Sequence, residues 1–257
     1  MRAPLRKIGI IGGMGPEATV LLMTRVIERI SATDDADHVP MIVDNNTQVP
    51  SRIKALIEGG GEDPGPVLAG MARGLQAAGA EALAMPCNTA HNYAAHIVEA
   101  ATIPLLDMVE LAAERVAAMA TAEFGVGILA SPAVRLTRIY DRAFARRQIT
   151  TLYPSDEQRM LAAIRAIKRS SSDAAARETL RAAADELVEA GAQVLLVACS
   201  EFSIIGDAIP DKYRVIDSMD VLADAVVDFA TTGAPPHGGA TSEIGKRRTI
   251  RAAAAGS

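Results

Sequence analysis

The chain has 257 residues, of which 49% are hydrophobic, 3% aromatic and none Trp. That length admits one large or two modest domains with a core of Ala, Val, Ile, Leu and Met. The formal net charge of −5 argues against a general nucleic-acid binder, which carries a basic face, and no run reaches the roughly 20 apolar residues that span a bilayer, so neither nucleic acid nor membrane is an expected partner.

The N-terminal stretch "MRAPLRKIGIIGGMGP" puts positive charge before apolar residues, but Gly12, Gly13 and Gly15 interrupt it too early for a signal-peptide core, and it reads as a first strand. With two cysteines and no export signal, reduced thiols in the cytoplasm are expected. In chain order, short β-branched runs predict strands at about 7–12, 40–45, 81–86, 103–106, 125–130, 149–152, 193–198 and 214–216. Ala-rich segments of helical period fall between them, at about 16–31, 64–79, 89–100, 108–120, 133–146, 155–169, 173–190 and 218–231. Such alternation is the pattern of βα units around parallel sheets, an α/β fold.

An internal repeat runs through these elements. "KIGIIGGM" matches "GVGILASP", "LAMPCNTA" matches "LVACSEFS", and "IPLLDMVELAAERV" matches "RVIDSMDVLADAV". Cys87 follows Ile8 by 79 residues and Cys199 follows Val126 by 73, while the next strand-end aspartates, Asp107 and Asp217, follow the cysteines by 20 and 18. Two similar half-molecules result, residues 1–107 plus 215–231 and residues 108–214, with the last helix packing back on the first half. Residues 232–257, with Pro, Gly, Ser and the basic cluster Lys246, Arg247, Arg248 and Arg251, read as a tail.

Cys87 and Cys199, the whole thiol inventory, each end an apolar run. In open α/β sheets, ligands bind outside the carboxyl ends of the strands, where helix N-termini also point, and a thiol placed there is expected to have a lowered pKa. One free cysteine is commonly just a small buried hydrophobe. Two in repeated positions, each followed by small polar residues, point to a function. Inverting a carbon centre needs a base on one face and an acid on the other, and a cysteine pair supplies both, with the roles exchanged between directions.

Other chemistry stays open at this level. A redox pair would use the same thiols but lacks the C-x-x-C signal. His91 follows Cys87 by four and shares its helical face, as a Cys-His hydrolase would need. Metal ligation by Cys87, His91 and Cys199 lacks an identifiable fourth ligand. Asn88, Thr89 and Ser200 offer donors for a carboxylate or enolate, or alternatively cap helices. Gly13-x-Gly15-x-x-Ala18 after a strand, with Asp44 ending the next, fits a loose dinucleotide fingerprint and makes a nicotinamide oxidoreductase the main rival. Pro16, however, removes one N–H where phosphate would bind. A non-catalytic amino-acid-binding protein is a further alternative.

The motifs "GGMGPEAT", "NNTQVPSR", "MPCNTAH" and "ACSE", in this order and spacing over about residues 7–231, resemble the aspartate/glutamate racemase family, specifically its aspartate-racemase branch. The resemblance implies two pseudo-symmetric α/β domains with mainly parallel sheets flanked by helices, an active site in the interdomain cleft, a homodimer, and racemisation of a small amino acid without cofactor or metal. Aspartate is the implied substrate, with glutamate, broad specificity, or isomerase or decarboxylase chemistry on small diacids as alternatives. By motif, Cys87 and Cys199 are the catalytic pair. Met14, Asn46, Asn88, Thr89, Ser131, Ser200 and Glu201 line the substrate site, and Arg52 and Lys168 are its cations. Two departures stand out: Cys199-Ser200-Glu201 where the family usually has Cys-Thr-Glu, and Pro50-Ser51-Arg52 where it often has Pro-Asp-Arg. The second leaves the choice of amino acid open.

Overall fold

Strands and helices alternate along residues 4–119 and 124–234, which are the residues described by this computed structural model. The first half runs β1 (Ile8–Gly12), α1 (Pro16–Glu28), β2 (Met41–Asn45), α2 (Gly65–Ala77), β3 (Ala82–Ala84), α3 (Ala94–Ala100), β4 (Leu105–Leu106) and α4 (Met108–Ala117). The second runs β5 (Gly125–Ala130), α5 (Pro132–Thr137), α6 (Ile139–Ala145), β6 (Thr150–Leu152), α7 (Glu157–Ile167), α8 (Ala174–Glu189), β7 (Val194–Ala198), α9 (Ser200–Ile204), β8 (Val215–Asp217) and α10 (Ser218–Thr232). Each half builds one four-stranded sheet, β2-β1-β3-β4 and β6-β5-β7-β8, with every pairing parallel. The second order repeats the first, strand for strand. The central strands β1, β5 and β7 are buried along their whole length, as sheets covered by helices on both faces require.

The repeated aspartates do the same work in both halves. Asp107 accepts N–H bonds from Val109 and Glu110 and starts α4, and Asp217 accepts from Met219 and starts α10, each satisfying donors that the first helical turn leaves unpaired. The two helices then cross over. Val109, Ala112, Ala113 and Val116 of α4 pack on Val126, Ile128, Val194 and Leu196 of the second sheet. Met219, Leu222, Val226 and Phe229 of α10 pack on Ile8 and Ile10 of the first and on Leu22 and Val26 of α1. The division expected at residue 215 needs a correction: β8 pairs with β7 through Leu196 and Ile216, so only α10, not the strand before it, sits with the first half.

The single helix expected over 133–146 is two. Arg138 takes a left-handed conformation at φ 55°, and the Thr137 hydroxyl bonds back to the Ala133 and Val134 carbonyls. Arg142 Nη1 donates to the carbonyl that Thr137 leaves at the end of α5. Among the described residues no helix is long and apolar enough to cross a membrane. Of the expected tail, Thr232 still closes α10, whereas residues 235–257, with the basic cluster, lie outside the described residues.

Candidate active site

The carboxyl ends of β1, β3, β5 and β7 face one cavity of about 80 Å³. A site holding one water needs roughly 10–15 Å³ on the same scale, so there is room for a molecule of amino-acid size. The first half contributes Met14, Arg52, Cys87, Asn88 and Thr89, and the second contributes Ser131, Lys168, Cys199, Ser200 and Glu201. Ten of the eleven residues expected at a site therefore meet in one place.

Asn46 is the exception. Its Oδ1 accepts the Gln48 N–H at 2.9 Å and closes its own turn, and it does not line the cavity. Its backbone nevertheless shapes the site from behind. Gly13, at φ 87°, lies so close that a Cβ there would stand 2.3 Å from Asn46 C and O, so glycine is obligatory. The Gly13 N–H donates to Thr19 Oγ1 at 2.9 Å. The first glycine of the loose fingerprint is thus occupied by chain packing, and its amide is already bonded inside the turn.

Each cysteine stands just past its strand, Cys199 immediately after β7 and Cys87 three residues after the end of β3. Cys87 comes after β3 and a bonded turn, its N–H donating to Met85 O at 2.8 Å. His91, one helical turn on, has both ring nitrogens engaged: the Met108 N–H donates to Nε2 at 3.1 Å and Nδ1 lies 2.9 Å from Cys87 O. A backbone N–H can only donate, so Nε2 is the acceptor and Nδ1 carries the proton. A neutral histidine fixed this way ties the Cys87 turn to the start of α4. It cannot act as the thiol's base or ligate metal, and among the described residues no group of three or more His, Cys, Asp or Glu side chains could hold a metal ion. Both thiols are free.

Cys199 is the N-cap of α9. The lowered pKa expected from that position is not found: burial pushes the thiol well above its ordinary value, and the nearby Glu201 carboxylate pushes the same way. The Phe202 and Glu201 N–H groups favour thiolate but are outweighed, because α9 is only five residues long while desolvation acts on the whole charge. Cys199 Sγ donates to Glu201 Oε2 at 3.2 Å, and Lys168 Nζ, from the end of α7, donates to Glu201 Oε1. Burial alone would lower the Lys168 pKa; the attraction of Glu201, with smaller contributions from both cysteines, raises it instead. A thiol, a carboxylate and an ammonium therefore stand in line, beside Gly15, whose missing Cβ would lie 3.7 Å from Lys168 Nζ.

Arg52 Nη1 donates to Val49 O at 3.3 Å and Pro50 O at 3.0 Å, and among the described residues no carboxylate pairs with it. Ser131 caps α5 by accepting the Ala133 N–H and lines the cavity with the same side chain, whereas Asn88 precedes the 3-10 turn Thr89–Tyr93 without a side-chain capping bond. Ser51, the departure next to Arg52, also lines the cavity, as do Ile53 and Ile164, which were not singled out in the sequence. Ile164 stands one turn before Lys168 on α7, a helical spacing that identifies it.

The family model for Asp/Glu/Hydantoin racemase matches residues 11–226. The solved structure of Picrophilus torridus aspartate racemase superposes at TM-score 0.78 with 30% identity, covering 88% of this chain and 94% of that one. The broad specificity amino-acid racemase RacX of Bacillus subtilis (strain 168) is 25% identical over 237 residues, 86% of this chain and 96% of its own. Glutamate racemase from Francisella tularensis subsp. tularensis SCHU S4 shares the fold at TM-score 0.62 and 15% identity, over 86% and 80% of the two chains. Matched across both sheets and through most of α10, the chain belongs to the Asp/Glu/Hydantoin racemase family.

Proposed function

We propose that the protein interconverts L- and D-aspartate by two-base proton transfer between Cys87 and Cys199, without a cofactor. The observation that carries this is the arrival of two free thiols, from matching strand ends of different sheets, in one cavity of amino-acid size. In one direction the Cys87 thiolate takes the Cα proton, the electron pair moves into the α-carboxylate as an enolate, and the Cys199 thiol delivers its proton to the opposite face. Cys87 then holds a thiol and Cys199 a thiolate, and solvent exchange resets the pair. The raised pKa of Cys199 suits it to be the resting acid. Donors around Asn88, Thr89 and Ser200 serve the developing enolate. Arg52, held by no carboxylate among the described residues, grips the distal carboxylate.

Broad specificity is the second reading, favoured by the 25% identity to RacX and by Ser51, Ile53 and Ile164 in the lining, which add no charge. One experiment addresses both. Each enantiomer of aspartate, glutamate and alanine is incubated in deuterated water, separated by chiral chromatography and weighed by mass spectrometry. Aspartate is expected to racemise fastest with deuterium at Cα, and Cys87→Ala and Cys199→Ala each to abolish this while the fold persists. Racemisation without label, or near-normal turnover in either variant, sinks the two-thiol mechanism; equal rates on aspartate and alanine select the broad reading.

A further inference from the structure

Behind the cavity a chain of hydrogen bonds crosses from one half of the molecule to the other. Tyr140 OH, from α6, donates to Asn88 Oδ1 at 2.6 Å; Asn88 Nδ2 donates to Ser218 Oγ at 3.1 Å; Ser218 Oγ donates to Val197 O at 2.8 Å. All three side chains are buried, Tyr140 and Ser218 at 0% exposure and Asn88 at 2%. The direction of every link is forced. Val197 O can only accept, so the single Ser218 proton goes there, and Ser218 Oγ must then accept from the Asn88 nitrogen. That leaves Oδ1 facing Tyr140, whose hydroxyl burial keeps protonated and donating.

The ends of this chain are informative. Asn88 directly follows Cys87, and Val197 stands two residues before Cys199. The break at Arg138 that separates α5 from α6 brings Tyr140 beneath Asn88, a placement that an unbroken helix would not give. With Oδ1 and one Nδ2 proton committed, Asn88 keeps its second Nδ2 proton for the cavity it lines.

We propose that Tyr140 and Ser218 are positioning residues for the reaction: they fix the Asn88 amide with a donor toward the substrate, and they lock the strand end bearing Cys87 to the strand end bearing Cys199. This rests on the two-thiol reaction proposed above. Tyr140→Phe is the direct test, because the ring and its stacking on Phe144 at 6.0 Å remain while the hydroxyl leaves. Misplacing a reacting group by about 1 Å can lose on the order of 100-fold in rate, so kcat is expected to fall about 10- to 100-fold with KM changed much less.

Tyr140 acting through Asn88 makes a further demand. The double variant Tyr140→Phe/Asn88→Ala should be no slower than Asn88→Ala alone, within about twofold. A purely structural tyrosine gives losses that multiply. Ser218→Ala should repeat the kcat loss and guards against a poorly folded Tyr140→Phe. Independently of turnover, NMR of the Asn88 side-chain amide, identified by its loss in Asn88→Ala, should show solvent exchange at least about tenfold faster in both single variants, as expected for a freed buried hydrogen bond. Near-normal kcat in both variants, multiplying losses, or unchanged amide exchange overturns the proposal. If the wild-type protein racemises nothing, the two-thiol reaction falls by itself and the amide exchange alone decides on the bridge.

Discussion

At the scale of single residues the site is governed by who holds which proton. Glu201 accepts from the Cys199 thiol and from Lys168 at once, so it opposes the Cys199 thiolate while screening the lysine. Glu201→Gln removes the negative charge and leaves Lys168 as an unpaired neighbour, and both changes favour thiolate. The Cys199 pKa should therefore fall, and its alkylation by iodoacetamide at pH 8 should rise by about three- to fourfold for each pKa unit lost, the gain in thiolate being partly offset by its lower nucleophilicity. Peptide mass spectrometry across a pH series reads this directly; an unmoved midpoint would show that burial alone holds the proton. The same geometry separates the two cations. Lys168 already has a carboxylate partner, whereas Arg52 spends one nitrogen on carbonyls and keeps the rest of its fork. On the proposed reaction, Arg52→Ala should lower kcat/KM for aspartate by about 10- to 100-fold, the loss of one charge-assisted contact, and Lys168→Ala by less. Alanine turnover should barely respond to the arginine change. Matching losses on aspartate and alanine would remove Arg52 from side-chain recognition.

At the scale of elements, α9 is the piece that carries Ser200 and Glu201, and it is too short to hold itself. Arg25 on α1 fastens it: Nη1 meets Asp217 Oδ2 at 2.7 Å and Nη2 donates to Ser203 O at 3.0 Å, while Ser203 Oγ donates to Asp217 Oδ1 at 2.7 Å. Burial raises the Asp217 pKa above its ordinary value although Arg25 and Ser203 pull it down. Arg25→Ala deletes the main opposing charge, so that pKa rises further. A carboxyl group with a raised folded-state pKa favours folding most below its unfolded value, near 3.9, and that advantage disappears as pH climbs through the folded pKa. The variant should consequently lose about 3–5 kcal/mol at neutral pH, where a buried charge stands unpaired, and progressively less as pH falls toward 4. Urea melts at pH 5 and pH 8 measure the difference; an equal deficit at both would show that Asp217 is not the group responsible. The sequence shows why α9 escapes notice: five helical residues span little more than one turn, too few for a 3.6-residue period. The α5–α6 break is hidden for another reason, since Arg138 carries no glycine or proline to mark a left-handed residue. The longer helices and all eight strands, by contrast, follow from their apolar periods to within a few residues, and the cysteine positions follow from the strands they end.

At the scale of the whole molecule, the repeat written in the sequence becomes two sheets of identical order, and α10 packs on the first half, where that repeat places the last helix. A helix's apolar stripe specifies how much surface must be buried and is silent on the partner side chains, so which residues α4 and α10 meet is visible only in three dimensions. The packing of α10 has a measurable consequence for folding. Four large side chains of α10, Met219, Leu222, Val226 and Phe229, are buried against the first sheet. At about 1.5–3 kcal/mol each they supply an amount comparable with the roughly 5–15 kcal/mol that stabilises a typical domain. The first half, although contiguous through β4, therefore lacks a complete core without residues from the far end of the chain. A protein ending at Arg214 removes nothing from β1, β2, β3 or β4, yet its first sheet should fail to hold. Hydrogen exchange followed by mass spectrometry should find the β1 amides of Ile8–Gly12, buried at the centre of the sheet in the full chain, exchanging at the rate of an unfolded peptide. Adding β8 and α10 back, by extending the chain through Ala234, should restore their protection. Protected β1 amides in the shortened chain would mean that the first sheet closes its own core and that the crossing helix is only a cover.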